Sequence, residues 1–376
     1  IHKTLDSSSN AEVFSSSTSQ ILDSQSLLSF NTAGFNNQLE YILKQQSMKI
    51  SYKMKLERLL FIQDVAASRY TWQISQSNLI SDTKWLFLPS TTLSYQLDAS
   101  KELRFNYSVN ASFSDATHLS NMFYIRSYNS FYRGNEFLEN DLNHVFSLNY
   151  KRSKLFKGET FYSFLRYSKA VRGFTNTIQF QDQYQFLTRI LLDNAEEKFS
   201  LNTYYNRKSK FFRWTLSTIL SNDRFFQDVN GVFKTNRSRS INTNFFLETR
   251  FKNYPNIKLG VNNKYSEFFI NGKNTYVTNK YYLGAKYQYL KTFDASLSYK
   301  RFNFLNKNIR ETNTFDHLDV TLNYTPERSP WSFGISGNNL LNISSRRASN
   351  FSPLNISDSR TFIMPRIILF QVNYKL

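Results

Sequence analysis

In Met48-Lys49-Ile50-Ser51-Tyr52-Lys53-Met54-Lys55-Leu56 every even position is apolar and every odd one is charged or hydroxylated. A period of two puts two chemistries on opposite faces of one extended strand, which a helix of 3.6 residues per turn cannot do. The pattern recurs. Leu103, Phe105, Tyr107, Val109, Ala111 and Phe113 alternate with Arg104, Asn106, Ser108, Asn110, Ser112 and Ser114. Further runs are Tyr281 to Tyr289, Phe293 to Tyr299, Ile257 to Val261 and Leu318 to Tyr324. No comparable stretch favours a helix, so the fold class is all-β.

Between these strands the connections are expected to alternate in length. Short ones fall near Lys44 to Ser47, Asp98 to Lys101, Ser153 to Gly158, Lys208 to Lys210, Phe251 to Pro255, Lys291 to Thr292 and Pro326 to Pro330. Long ones fall near Asp64 to Thr83, Asp115 to Asp141, Gly173 to Lys198 and Ser344 to Arg360. In an up-and-down meander every second connection lies at the same end, so one end is trimmed and the other elaborated. The reading is an antiparallel up-and-down β-barrel, with about 15 strands in this chain. The first readable strand lies near Ser26 to Leu43, which places Ile1 to Gln25 in a loop at the elaborated end and calls for a strand before it.

Alternation alone does not choose the solvent, because a soluble sheet and a membrane barrel differ only in which face meets water. Strand length favours a membrane: many runs reach the roughly 9–11 residues of a tilted transmembrane strand. So do the aromatic residues at strand ends, Trp85, Tyr150, Tyr289, Tyr324 and Trp331, whose rings suit a lipid headgroup layer. A helical membrane protein is excluded, since mean hydropathy is −0.49 and no run approaches the roughly 18 apolar residues of a spanning helix. Aromatic residues at 17% exclude a disordered basic tail. The absence of cysteine removes any disulfide framework or thiolate metal site. Ile1 to Asn10 shows no basic start followed by an apolar stretch, so it does not read as a signal sequence.

Chemistry-bearing clusters are few. His2, His118, His144 and His317 are scattered without metal-ligand spacing, and no G-x-S-x-G or Gly-rich phosphate loop occurs. Glu196 and Glu197 sit beside Lys198 in what reads as a solvated loop. The expectation is therefore no enzyme, no cofactor and no metal. The formal net charge of +19 with interleaved aromatics would suit nucleic acid, yet the cations are spread over a uniform meander rather than one compact unit, so nucleic acid is not expected as a partner. Lys49, Lys53, Lys55, Arg104 and Lys258 lie on polar strand faces, and Arg237 with Arg239 stands where a loop meets a strand. Two readings stay open: a basic lumen selecting anionic solutes, or cations that only solvate the lumen and are balanced elsewhere.

The last residues carry the alternation to the end, with Phe370, Val372, Tyr374 and Leu376 on one face. This resembles the closing strand by which the barrel-assembly machinery recognises bacterial outer-membrane barrels, although Leu376 stands where that pattern usually has an aromatic residue. Arg133-Gly134-Asn135-Glu136-Phe137-Leu138-Glu139, leading into the strand of His144, Leu148 and Tyr150, is similar to the G-N-P-x-L-x-x-E segment of TonB-dependent outer-membrane receptors, particularly those of Bacteroidetes. Glu136 replaces the usual proline. Trp331 to Asn342, ending Asn339-Leu340-Leu341-Asn342, is similar to the penultimate strand and N-L-x-N tail of the same receptors.

That resemblance implies a 22-stranded barrel around a plug. Residues 1–376 would then be the carboxyl-terminal part of one barrel domain in the bacterial outer membrane, with the plug, its TonB-contacting segment and about seven strands lying outside this chain. It implies uptake of a scarce solute, with outer-membrane lipid, TonB and a possible surface lipoprotein as partners. Solute contacts are expected at Arg126, Tyr128, Tyr132 and Arg133, where a long external loop offers rings and cations. The alternative is a plugless barrel serving as a structural subunit or adhesin.

Overall fold

The computed structural model describes residues 2–8, 36–76, 78–269, 272–289, 292–308, 310–351 and 356–375. The chain is almost entirely antiparallel β. The strands are β1 His2–Ser8, β2 Asn36–Leu56, β3 Leu59–Ser75, β4 Leu79–Asp98 and β5 Lys101–Asn110. An inserted segment follows, carrying one helical turn, α1 Ala116–Leu119, and a ribbon of β6 Phe123–Ser127 and β7 Ser130–Arg133. The meander resumes with β8 Leu142–Lys154, β9 Glu159–Gln181, β10 Tyr184–Lys208, β11 Phe212–Val229, β12 Val232–Thr249 and β13 Asn256–Phe269. It continues through β14 Lys273–Tyr289, β15 Phe293–Asn306, β16 Glu311–Tyr324 and β17 Trp331–Asn338. A separate hairpin, β18 Ser345–Phe351 with β19 Ile356–Phe362, precedes the last strand, β20 Ile367–Tyr374.

Each wall strand pairs with the next: β1 to β5 in order, β5 with β8, β8 to β17 in order, and β17 with β20. Among the described residues β1 and β20 end this ladder. It is the wall of an all-β, up-and-down barrel.

Register turns the period-two pattern into a surface. Directly opposed residues share a face. Met54, Phe61, Leu93, Phe105, Leu148, Leu165, Leu201, Leu220, Ile241, Tyr265, Val277 and Leu305 form one row across β2–β5 and β8–β15. Their immediate chain neighbours form a second row on the opposite face: Asn106, Ser147, Arg166, Ser200, Ser221, Ser240 and Ser266. The apolar face is bare, with Met48 69%, Phe87 69% and Phe370 76% exposed.

The polar face is the concave one. At one end of the barrel it carries Leu39, Tyr41, Trp72 and Ile74 of β2 and β3, which share an apolar cluster with Ala116, Leu119 and Leu138 of the insert and with Phe174 and Leu191 of β9 and β10. Strands that far apart in the ladder meet around one insert only if the sheet curls toward it.

Several sequence expectations change. The turn expected at Lys44 to Ser47 does not exist: β2 passes straight through, and the turn is at Glu57 and Arg58. The apolar phase moves there from odd positions, Leu39, Tyr41 and Leu43, to even ones, Met48, Ile50 and Tyr52, which in sequence looks like a break. In space it is one strand that packs on the insert at its top and bares its other face below. Similarly, Asp64 to Thr83 and Gly173 to Lys198 are not loops. They are the far halves of β3, β4, β9 and β10, with β3 ending at Ser75 where β4 begins at Leu79 and the second pair turned at residues 182–183. Glu196, Glu197, Arg237 and Arg239 consequently lie inside strands. Among the described residues the ladder holds sixteen strands rather than fifteen, because His2–Ser8, expected in a loop, is the preceding strand β1. Ser26 to Phe35 lie outside the described residues, and β2 begins at Asn36. The other six short connections fall between the strands where they were read, with Lys291 itself outside the described residues, and the Asp115 to Asp141 excursion stands.

Candidate functional site

The insert between β5 and β8 occupies the end of the barrel where the strands are longest. β9 and β10 run 23 and 25 residues. Their register breaks between Asp193 and Glu196, and such a bulge increases local twist. Beyond the break, β10 takes β7 as a parallel neighbour at Gln185–Thr188, and β9 takes the tip of β11 at Thr177–Ile178. Lower down, β10 rather than β9 is the neighbour of β11. The hairpin has therefore turned about its own axis, carrying the insert's ribbon with it.

The segment Gly134 to Glu139 fastens the insert. A Cβ on Gly134 would lie 2.3 Å from the His118 carbonyl oxygen, so only glycine lets the two backbones approach. The Asn135 amide then donates to His118 O at 2.8 Å, and the Asn135 side chain accepts from the Phe137 amide at 2.9 Å. Leu138 is buried in the apolar cluster. Glu139 accepts from Arg172 Nη1 of β9 at 2.7 Å and from Lys84 of β4, joining two distant parts of the wall. The Lys84 hydrogen bond, with the Arg172 charge beside it, holds the Glu139 carboxyl below the usual glutamate range. Gln76, at the β3–β4 turn, donates to Ser120 Oγ at 3.2 Å and accepts from the Asn121 amide at 3.0 Å.

The four expected solute contacts do not converge. Tyr132 is 1% exposed, packed against Ile178, Leu187 and Tyr124, with its ring 5.8 Å from His118. Burial pushes its hydroxyl up to about 12, and among the described residues the hydroxyl has no hydrogen-bond partner. His118 is pushed down, first by burial and then by the Arg189 charge. Arg126 stacks its guanidinium 5.8 Å over the Tyr132 ring from the exposed side. Arg133 lies over Phe123, at 5.7 Å, on the opposite face of the ribbon. Tyr128 stands at the tip, 86% exposed.

The strand-end aromatics all lie on the apolar face. Tyr150, Phe161, Tyr205 and Trp214 touch in series at the trimmed end, with centroids 5.8, 6.4 and 4.6 Å apart. Tyr289, Tyr324 and Trp331 lie at the same end of β14, β16 and β17, and Trp331 contacts Tyr374 at 4.7 Å. Trp85 is ten positions from Tyr95 along β4, which for a tilted strand is about 25 Å along the barrel axis. Phe370, Val372 and Tyr374 are exposed on the same face, and Leu376 lies outside the described residues.

Sequence reading did not find Lys84, Glu139 and Arg172 as a group. They come from three segments and share no spacing. It also did not assemble a hollow of 460 Å³ on the concave face of β12–β14, lined by Asn242, Asn262, Lys264, Lys280, Phe246 and Tyr282 among others. Strand parity alone would have grouped Lys264 and Lys280 with Lys258.

No family model matches the chain, and no curated protein matches it. Among solved structures it is similar to a mutant of the ferric enterobactin receptor from Pseudomonas aeruginosa, with 9% identity and a TM-score of 0.35 over 91% of this chain and 60% of that one. The chain thus spans less than two thirds of that receptor's length. A likeness at that score is too slight to bear on function.

Proposed function

We propose that this chain forms the wall and external cover of a bacterial outer-membrane receptor of the TonB-dependent kind, through which a scarce solute is taken up. The observation that carries the reading is the bare apolar row on the convex face, backed residue for residue by a polar row on the concave one. In water such a face would be a continuous aggregation surface. In hydrocarbon it is the stable arrangement, because lipid meets the apolar side chains while every wall strand between the ladder ends satisfies its backbone groups with two neighbours. The spacing of Trp85 from the trimmed-end aromatics matches a hydrocarbon band of about 25 Å flanked by interfacial rings.

The receptor assignment rests on the Gly134-Asn135 and Asn339 to Asn342 segments and on an insert packed on the concave face at one end of the wall. Two family-like positions, Gly134 and Asn339, have physical work in this chain. Asn339 donates to the carbonyls of Ile343 and Met364 at 2.8 and 2.9 Å, closing the long connection before β20. TonB, the barrel-assembly machinery and a surface lipoprotein are the partners this reading calls for.

The test is cellular fractionation with uptake. Expression in a Gram-negative host should place the protein in the outer-membrane fraction, soluble only with detergent, and solute-limited growth should require TonB. A compact monomer in detergent-free buffer overturns the membrane reading, and TonB-independent growth overturns the receptor assignment.

A further inference from the structure

The hollow on the concave face of β12, β13 and β14 is a site of its own. Gly260 shapes it: a Cβ there would lie 2.5 Å from a ring carbon of Phe246, so only glycine lets the Phe246 ring fold over the β13 backbone and form one wall of the hollow, with Tyr282 on the next strand. Lys264 and Lys280 reach the hollow from adjacent strands, two register positions apart on the same face, opposite Thr278 and Asn262 respectively. Neither lysine makes an ion pair among the described residues. Asn262 donates its amide to Asn242 Oδ1 at 2.8 Å and also to Asn244 Oδ1, which uses up two acceptors and leaves the NH₂ groups of Asn242 and Asn244 free to donate.

The remaining polar complement is therefore dominated by donors and positive charge. Among the described residues no carboxylate lines the hollow. Lys258 lies over the Phe246 and Tyr282 rings at 5.3 and 5.7 Å, and Lys300 is paired with Tyr282 on the next strand, adding two cations at its border. Glu248, opposite Lys258, is the nearby acid on this face. Several cations sharing one concave, walled surface focus a positive potential into it.

We propose that this hollow binds a small, multiply charged anion, held by Lys264 and Lys280 with the Asn242 and Asn244 amides, and seated against the Phe246 and Tyr282 rings. The inference names the solute class and its position for the receptor reading above and rests on that reading for its purpose, though not for its chemistry.

The experiment is a calorimetric titration of the detergent-solubilised full chain with sodium tripolyphosphate, with raffinose as neutral control. Saturable binding that weakens as salt rises, and at least a tenfold loss in the K264Q/K280Q double variant, is the expected result. The K264R/K280R variant should keep affinity within about threefold. K53Q/K55Q, which removes cations elsewhere on the same face, should leave it unchanged. No binding by the native chain, or equal binding by K264Q/K280Q, overturns the site. Binding of polyglutamate without tripolyphosphate also overturns it, in favour of an acidic polypeptide. Liposome flotation is scored separately: a chain that floats without binding loses the site and keeps the barrel, and one that binds without floating keeps the site and loses the receptor.

Discussion

Glu139 shows how one side chain can tie together elements that the sequence keeps apart. Its folded pKa is depressed, so its contribution to docking the insert is fully present above the ordinary glutamate value of about 4.3 and is lost as pH falls through the lower folded value. Because the group is half-exposed, that contribution is about 1 kcal/mol or less. Protection factors across residues 115–141, with the intrinsic pH dependence of exchange divided out, should fall as pH drops below the ordinary glutamate value of about 4.3, and Glu139→Gln should show the lower protection already at pH 7. Equal protection in both proteins at pH 7 would detach Glu139 from docking. Gly134→Ala should be worse, since the added methyl collides with backbone rather than a flexible side chain; about 1–3 kcal/mol is expected, read as a lower melting temperature in detergent. By contrast Tyr128→Ala, at an exposed tip, should leave stability unchanged.

At the scale of elements, Leu201 and Ser200 are adjacent in β10 and point to opposite faces. Leu201→Arg should cost about 2–4 kcal/mol if its face meets the bilayer midplane, whereas Ser200→Arg on the concave face should cost little. Chemical denaturation of the two variants in lipid vesicles measures the difference, and equal stabilities would remove lipid from the convex face. The long strands also show where sequence reading fails. Leu103 to Asn110 keeps one apolar phase and was legible as a strand. In β2 and β3 the phase reverses where Tyr41, Trp72 and Ile74 pack on the insert, and a reversal looks the same as a turn when neighbours are unknown. Parity shows that two faces differ but does not show what covers either of them.

For the molecule as a whole, three of the four tryptophans report its surroundings. Trp85 and Trp331 lie bare on the convex face, while Trp72 is buried under the insert. In single-tryptophan variants, brominated acyl chains should quench Trp85 and Trp331 strongly and Trp72 weakly. Equal quenching of all three would contradict the arrangement of wall and cover.

The sequence by itself determined the all-β class, the up-and-down order, six of the seven trimmed-end turns and the two-faced wall, because period-two alternation is a local property of one strand. It also located the insert, and the Gly134-Asn135 segment within it. Only the tertiary structure decided that Tyr132 is buried while Arg126 and Arg133 lie on opposite faces, that Glu139 bridges Lys84 and Arg172, and that Lys264 and Lys280 share a hollow. Those facts depend on which strands become neighbours and how far the sheet curls, and both are set by contacts between residues distant in the chain.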